Sequence, residues 1–157
     1  MNKVLLLLLT ILYCLQRFFR LLDLKIFLDE ALYLRIVRDG LASGNIWISF
    51  NDGKEPLFFW IQSMAAQIFG QSLFVGRGAS VVSGFFLMLA IYHLGQKFST
   101  KAGLLSVFLY VLSPFFYFYN RLSILDCLLT TLLTYFLVFL LNPSKKRQLS
   151  ILAGIFF

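Results

Sequence analysis

The stretch VGRGASVVSGFFLMLAIYHL, residues 75–94, carries one charge, Arg77, close to its start. A helix rises 1.5 Å per residue, so this run reaches about 30 Å, the thickness of a bilayer's hydrocarbon. It reads as a membrane-spanning helix. Comparable runs lie on both sides. Val4 to Leu22 precedes it. Ala102 to Tyr119, with Pro114 near its end, follows, and then Leu122 to Leu141, which Asn142-Pro143 stops. The first run is not a cleaved leader, because Gln16-Arg17-Phe18-Phe19-Arg20 stands where small residues would be needed. Arg17 and Arg20 are one turn apart and are expected to share a face, either snorkelling to the interface or facing a polar interior. A fifth apolar run starts at Leu149 and reaches only Phe157, too short to span, so the sequence reads as the front part of a longer protein.

Composition agrees. Of 157 residues, 60% are hydrophobic and 13% charged, and mean hydropathy is +0.85. A water-soluble domain carries about twice that charge. One small core cannot hide so much apolar surface, and a disordered chain would have less of it. The net charge of +7 comes from short basic clusters between apolar runs, without a basic-aromatic patch. That pattern fits membrane topology and excludes a nucleic-acid partner. Cys14 and Cys127 fall inside apolar runs and read as small buried residues. His93 reads as an interface residue.

Residues 23–74 form a long first loop with interfacial helices. A short helix is expected over 30–39, with Asp29 as a candidate N-cap and Gly40 as its stop. A second, over 56–69, starts at Pro56, ends at Gly70 and is amphipathic and aromatic-rich. Orientation follows from the short loops. With the N-terminus in the cytoplasm, Lys3, Lys97, Lys101, Lys145, Lys146 and Arg147 are cytoplasmic, and no acid accompanies them. All seven acids then fall at the opposite face.

The polar groups of that face are the candidates for chemistry. Asp29-Glu30 open the first loop helix, and Lys54-Glu55 precede the second. Arg77 lies near the start of the second span, and Arg121 and Asp126 flank the entry to the fourth. Ordinary roles compete. Asp29 could cap a helix, and Glu30 could serve the helix dipole. Lys54 and Glu55 could be a solvated loop pair. Arg77 and Arg121 could snorkel. Asp126, about 6 Å into a span, is expected to face other helices or a wet cavity, because an ionised acid in lipid is costly. Trp47, Trp60, Tyr117 and Tyr119 read as interface anchors.

Three of these segments resemble motifs of the GT-C glycosyltransferases. Leu28-Asp29-Glu30-Ala31-Leu32-Tyr33 looks like their first-loop Asp-Glu motif. Gly53-Lys54-Glu55-Pro56-Leu57-Phe58-Phe59-Trp60 is similar to the Lys-Pro-Pro-Leu-aromatic stretch of the family 39 branch, with Glu55 in place of a proline. Pro114 to Arg121 followed by Leu125-Asp126 resembles that branch's proline-aromatic, Arg-x4-Asp pattern. The branch holds protein O-mannosyltransferases and bacterial transferases that modify lipid A. The resemblance implies an all-α polytopic fold in a bacterial inner membrane. It also implies an inverting transfer from a polyprenyl-phosphate sugar to a protein or lipid acceptor at the periplasmic or extracellular face. Asp29 would be the catalytic carboxylate and Glu30 its support. Lys54, Arg121 and Arg77 would hold the donor phosphate, with Asp126 and Tyr33 supporting. A divalent metal on Asp29 stays open. Cut at Phe157, the isolated chain is expected to be inactive for want of later helices. The alternatives are a non-catalytic polytopic protein, such as a transporter half or assembly subunit, or an inactive product of a truncated gene. A transporter would place polar groups at mid-bilayer, whereas here they gather at one rim.

Overall fold

The structure, a computed structural model, describes residues 2–141. The expected fifth helix over 149–157 and the basic loop after Leu141 lie outside them. Among the described residues the chain is helical and without strands. α1 (Asn2–Phe18) turns its Leu9, Tyr13 and Arg17 side inward and leaves Val4, Leu7, Leu8, Ile11 and Leu15 exposed. The inward residues recur every four positions, so they form one helical stripe. A leucine-covered outer face is one that lipid, rather than water, would solvate.

α1 stops at Phe18, four residues before the end expected for the first span. Arg20 takes φ 51, in the left-handed region, and the chain turns sharply there. Arg17 and Arg20 therefore do not share a face. Arg17 is fully buried, and Arg20 is exposed in an ion pair with Asp23.

α2 (Leu28–Ser43) is longer than the expected 30–39. Its N-cap is Phe27, so Asp29 stands inside the first turn and does not cap the helix. Glu30 does that work, accepting the Phe27 N–H at 3.4 Å. At the other end the helix runs through Gly40 and stops at Gly44, φ 68. An interior glycine costs a helix only about 1 kcal/mol, and Ile36 and Val37, buried one turn earlier, hold it in place. A 3-10 turn, Ile48–Asp52, leads to α3 (Pro56–Phe69), which begins at Pro56 and ends at Gly70, as the sequence indicates.

α4 (Leu73–Gln96) is the central helix. Ser72 caps it, its Oγ accepting the Val75 N–H at 3.2 Å. Among the described residues it is the one helix long and apolar enough to cross a membrane by length and composition. The expected third span is broken in two: α5 (Thr100–Leu112) and α6 (Pro114–Tyr119). Pro114 lacks the N–H that would continue α5, and it holds Ser113 extended, ψ 121. α7 (Leu125–Leu140) begins three residues later than expected, because Leu122-Ser123-Ile124 is non-helical, extended at Ile124 (ψ 152), and buried against α2 and α3.

Two cores result. One joins α1, α4 and α5 through Tyr13, Leu87, Met88, Val107, Tyr110 and Val111. The other joins α2, α3 and the 122–124 segment through Tyr33, Ile36, Phe58, Phe59, Leu122 and Ile124. Buried polar links run along α4. Tyr13 donates to the Val81 carbonyl and Tyr110 to the Gly84 carbonyl, both at 2.8 Å. Thr131 of α7 donates to the Ser83 carbonyl at 3.0 Å. Each satisfies a group that hydrocarbon would otherwise leave unpaired.

Candidate active site

The end of the bundle where α1 finishes and α4 and α7 begin holds the polar groups. At its centre, Glu30 and Arg77 are both fully buried and form a bidentate pair. Arg77 Nε donates to Glu30 Oε1 at 2.8 Å and Nη2 to Oε2 at 2.7 Å. Nη1 donates to the carbonyls of Leu21 (2.8 Å) and Leu24 (3.1 Å), and Nη2 also to Lys25 (3.4 Å). All five guanidinium N–H groups are thereby engaged inside the chain. Glu30 accepts two more bonds, from the Ser123 N–H at 2.9 Å and the Phe27 N–H. The carboxylate thus ties together the start of α2, the start of α4 and the non-helical entry to α7.

Arg121 does a parallel job. Its Nη2 donates to the carbonyls of Phe19 (2.8 Å) and Arg20 (2.7 Å), and its Nη1 to the Tyr117 Oη at 2.6 Å. The left-handed turn at Arg20 presents those carbonyls. The Nε of Arg121 is buried without a partner. Two arginines therefore grip the 19–25 connection that delivers Asp29, one from α4 and one from the segment before α7. Tyr117, expected at the interface, lies between two cations. Its ring centroid is 4.8 Å from the Arg121 guanidinium and 5.1 Å from that of Arg17.

Asp29 is held by this frame and left free. Its side chain is exposed and has no polar partner among the described residues. Tyr33, one turn on, shares its face. Tyr33 is buried edge-on against Phe58 and Phe59, with centroids at 5.7 and 5.5 Å. Lys54 brings its Nζ over the Tyr33 ring, 5.8 Å from the centroid, and forms no ion pair among the described residues. The structure thus brings the Asp29, Tyr33 and Lys54 segments to one place. Asp126 stands apart, exposed in the first turn of α7 rather than turned into the bundle. Glu55 is exposed at the N-cap of α3. No group of three metal-binding side chains occurs among the described residues.

Sequence reasoning missed several buried polar groups. Asn120 accepts from Cys127 and donates to Tyr110. Gln62 of α3 donates to the Gly76 carbonyl at 3.0 Å and to Ser123 Oγ at 3.1 Å. A glutamine interrupting an apolar helix was the available signal, since a buried amide needs partners.

The architecture is that of a helical membrane protein in which Glu30, Arg77 and Arg121 are tied into one end of the bundle, while Asp29, next to Glu30, is left exposed and unpaired. The family model described as dolichyl-phosphate-mannose-protein mannosyltransferase matches residues 53–157, more than half of the sequence. The chain belongs to this family, which places it among the membrane glycosyltransferases. The match includes Lys54, Arg77, Arg121 and Asp126, and begins after Asp29 and Glu30. No curated protein and no solved structure matches the chain.

Proposed function

We propose that this protein transfers mannose or a related sugar from a polyprenyl-phosphate carrier to a protein or glycolipid hydroxyl, at the non-cytoplasmic face and with inversion at the sugar. Asp29 is the general base. It takes the acceptor's hydroxyl proton as the new bond to the anomeric carbon forms, and the bond from that carbon to the carrier phosphate breaks on the opposite side. Polyprenyl phosphate leaves with the bonding pair, and Lys54 stabilises its developing charge. Tyr33 seats Lys54 on the Asp29 face. Glu30 and Arg77 are positioning residues, because their hydrogen-bonding groups are spent on each other and on the backbone. Arg121 also positions the Asp29 segment, through its bonds to the Phe19 and Arg20 carbonyls.

A single observation carries this reading. Asp29 is exposed and unpaired, while its neighbour Glu30 is wholly buried in a three-way clamp. Replacing Asp29 tests it, because the side chain supports nothing else. In the complete reading frame that encodes this chain, Asp29→Asn is expected to cut transfer from a polyprenyl-phosphate mannose at least about 100-fold. Thermal unfolding of the purified protein should not move. Retention of most of the transfer rate would sink the assignment.

A further inference from the structure

A cleft of about 350 Å³ lies between α2, α3 and the first turn of α4. It opens on the α2 face turned away from Asp29. Its floor is apolar, built from Ile26, Leu34, Val37, Ala66 and Val75. Its rim is cationic and polar. Arg35 and Arg38, one turn apart, project along it, and Gln71 and Ser72 close the end where α4 begins. Asp39 sits between the arginines, 3.4 Å from Arg35 and 3.0 Å from Arg38. One acid faces two cations, so the rim keeps a positive balance. Both arginine side chains are about two-thirds exposed, which leaves donors for another anion.

The depth of this cleft decides what fits it. α4 is the helix able to cross the bilayer, and the cleft is lined by its first turn. Its mouth therefore lies where that helix leaves the hydrocarbon, at the level of lipid headgroups. Arginine there pairs with lipid phosphates, and an apolar floor beside it accepts the upper part of an acyl chain.

We infer that this cleft is a docking site for an anionic phospholipid of the surrounding bilayer, its phosphate held by Arg35 and Arg38 and its chain laid against Leu34, Val37 and Val75. The site is separate from Asp29 and Lys54, neither of which lines it. Asp39 competes with the lipid for the two arginines and tunes the affinity.

Native mass spectrometry of the detergent-solubilised chain tests this without any measurement of sugar transfer, so it stands or falls apart from the proposed activity. The probes are phosphatidylglycerol and phosphatidylcholine with matched acyl chains. Phosphatidylglycerol should be retained at about one tenth of the concentration that phosphatidylcholine needs. The double variant Arg35→Gln/Arg38→Gln should abolish that preference, and Asp39→Asn should strengthen it. These changes are at exposed positions and leave both cores intact. Equal retention of the two lipids by the unaltered chain would overturn the inference, as would a preference that survives the double variant. Displacement of the lipid by an equal concentration of inorganic phosphate would also overturn it, because the apolar floor would then contribute nothing. So would displacement by a tenfold lower concentration of polyprenyl phosphate, which would make the cleft the donor's own.

Discussion

At the scale of single residues, the Glu30–Arg77 pair sets the character of the site. Both charges are out of solvent. Desolvating two ions is expensive, and the cost is offset here only because every guanidinium N–H and both carboxylate oxygens are bonded. Removing one partner leaves the other charged and buried. Glu30→Gln is therefore expected to destabilise the protein by about 3–5 kcal/mol, read as a lowered unfolding temperature in detergent. Arg77→Lys should fall short of rescuing function or stability, since an ammonium cannot reproduce the forked bond to Glu30 together with three backbone carbonyls. If Glu30→Gln unfolded normally yet lost transfer, Glu30 would be acting on substrate instead of holding the frame. Neither residue's partner was legible in the sequence, because the two lie 47 positions apart. What was legible was that Asp29 and Glu30 belong to a polar rim. Their division into a free and a locked carboxylate came from which way each side chain points at the start of α2.

At the scale of elements, helix ends and helix contacts carry the argument. The boundaries of α3 were readable because Pro56 and Gly70 act locally. Those of α2 were not, since Gly40 is overridden by the packing around it and the true N-cap bond comes from Glu30. The break at Pro114 was visible as a proline, but its consequence, a separate α6, depends on the bundle folding back there. α4 and α5 approach closely at a pair of glycines, Gly95 and Gly103. A Cβ on Gly95 would come within 2.7 Å of the Gly103 Cα. Backbone cannot yield as a side chain would, so Gly95→Ala should push the helices apart and cost about 1–3 kcal/mol, measured by thermal unfolding against the same change at Gly78, where nothing lies within 4 Å. On the exposed side of α2, hydrogen bonding to Arg38 chiefly, and Arg35 as well, holds the Asp39 carboxyl below its ordinary value. A depressed acid contributes stability above its unfolded value and loses it as pH falls through the folded one. Carboxyl-resonance titration should therefore show Asp39 protonating below the range of a free aspartate, and Arg38→Gln should move it up toward that range, with Arg35 still holding it partly down.

At the scale of the whole molecule, the outward faces of α1, α5 and α7 are lined with leucine and phenylalanine, which suits a bundle immersed in lipid. The proposed orientation puts the Asp29 rim outside the cytoplasm. Single cysteines in a background lacking Cys14 and Cys127 test it. A cysteine at Lys54 should react with an impermeant maleimide added to intact cells, and one at Lys97 only after the cells are opened. The opposite pattern would invert the orientation and with it the face at which transfer is proposed. By itself the sequence determined that this chain is helical, that its helices are too apolar for water, and that its acids collect at one end. Those properties are local or additive, and each residue contributes to them wherever it folds. Tertiary structure alone decided which charges are spent on the frame. A guanidinium's role depends on the carbonyls and carboxylates that distant segments bring within about 3 Å of it. Arg77 and Arg121, which read as phosphate ligands in the sequence, hold the loop that carries Asp29, while Asp29 itself stays exposed and unpaired.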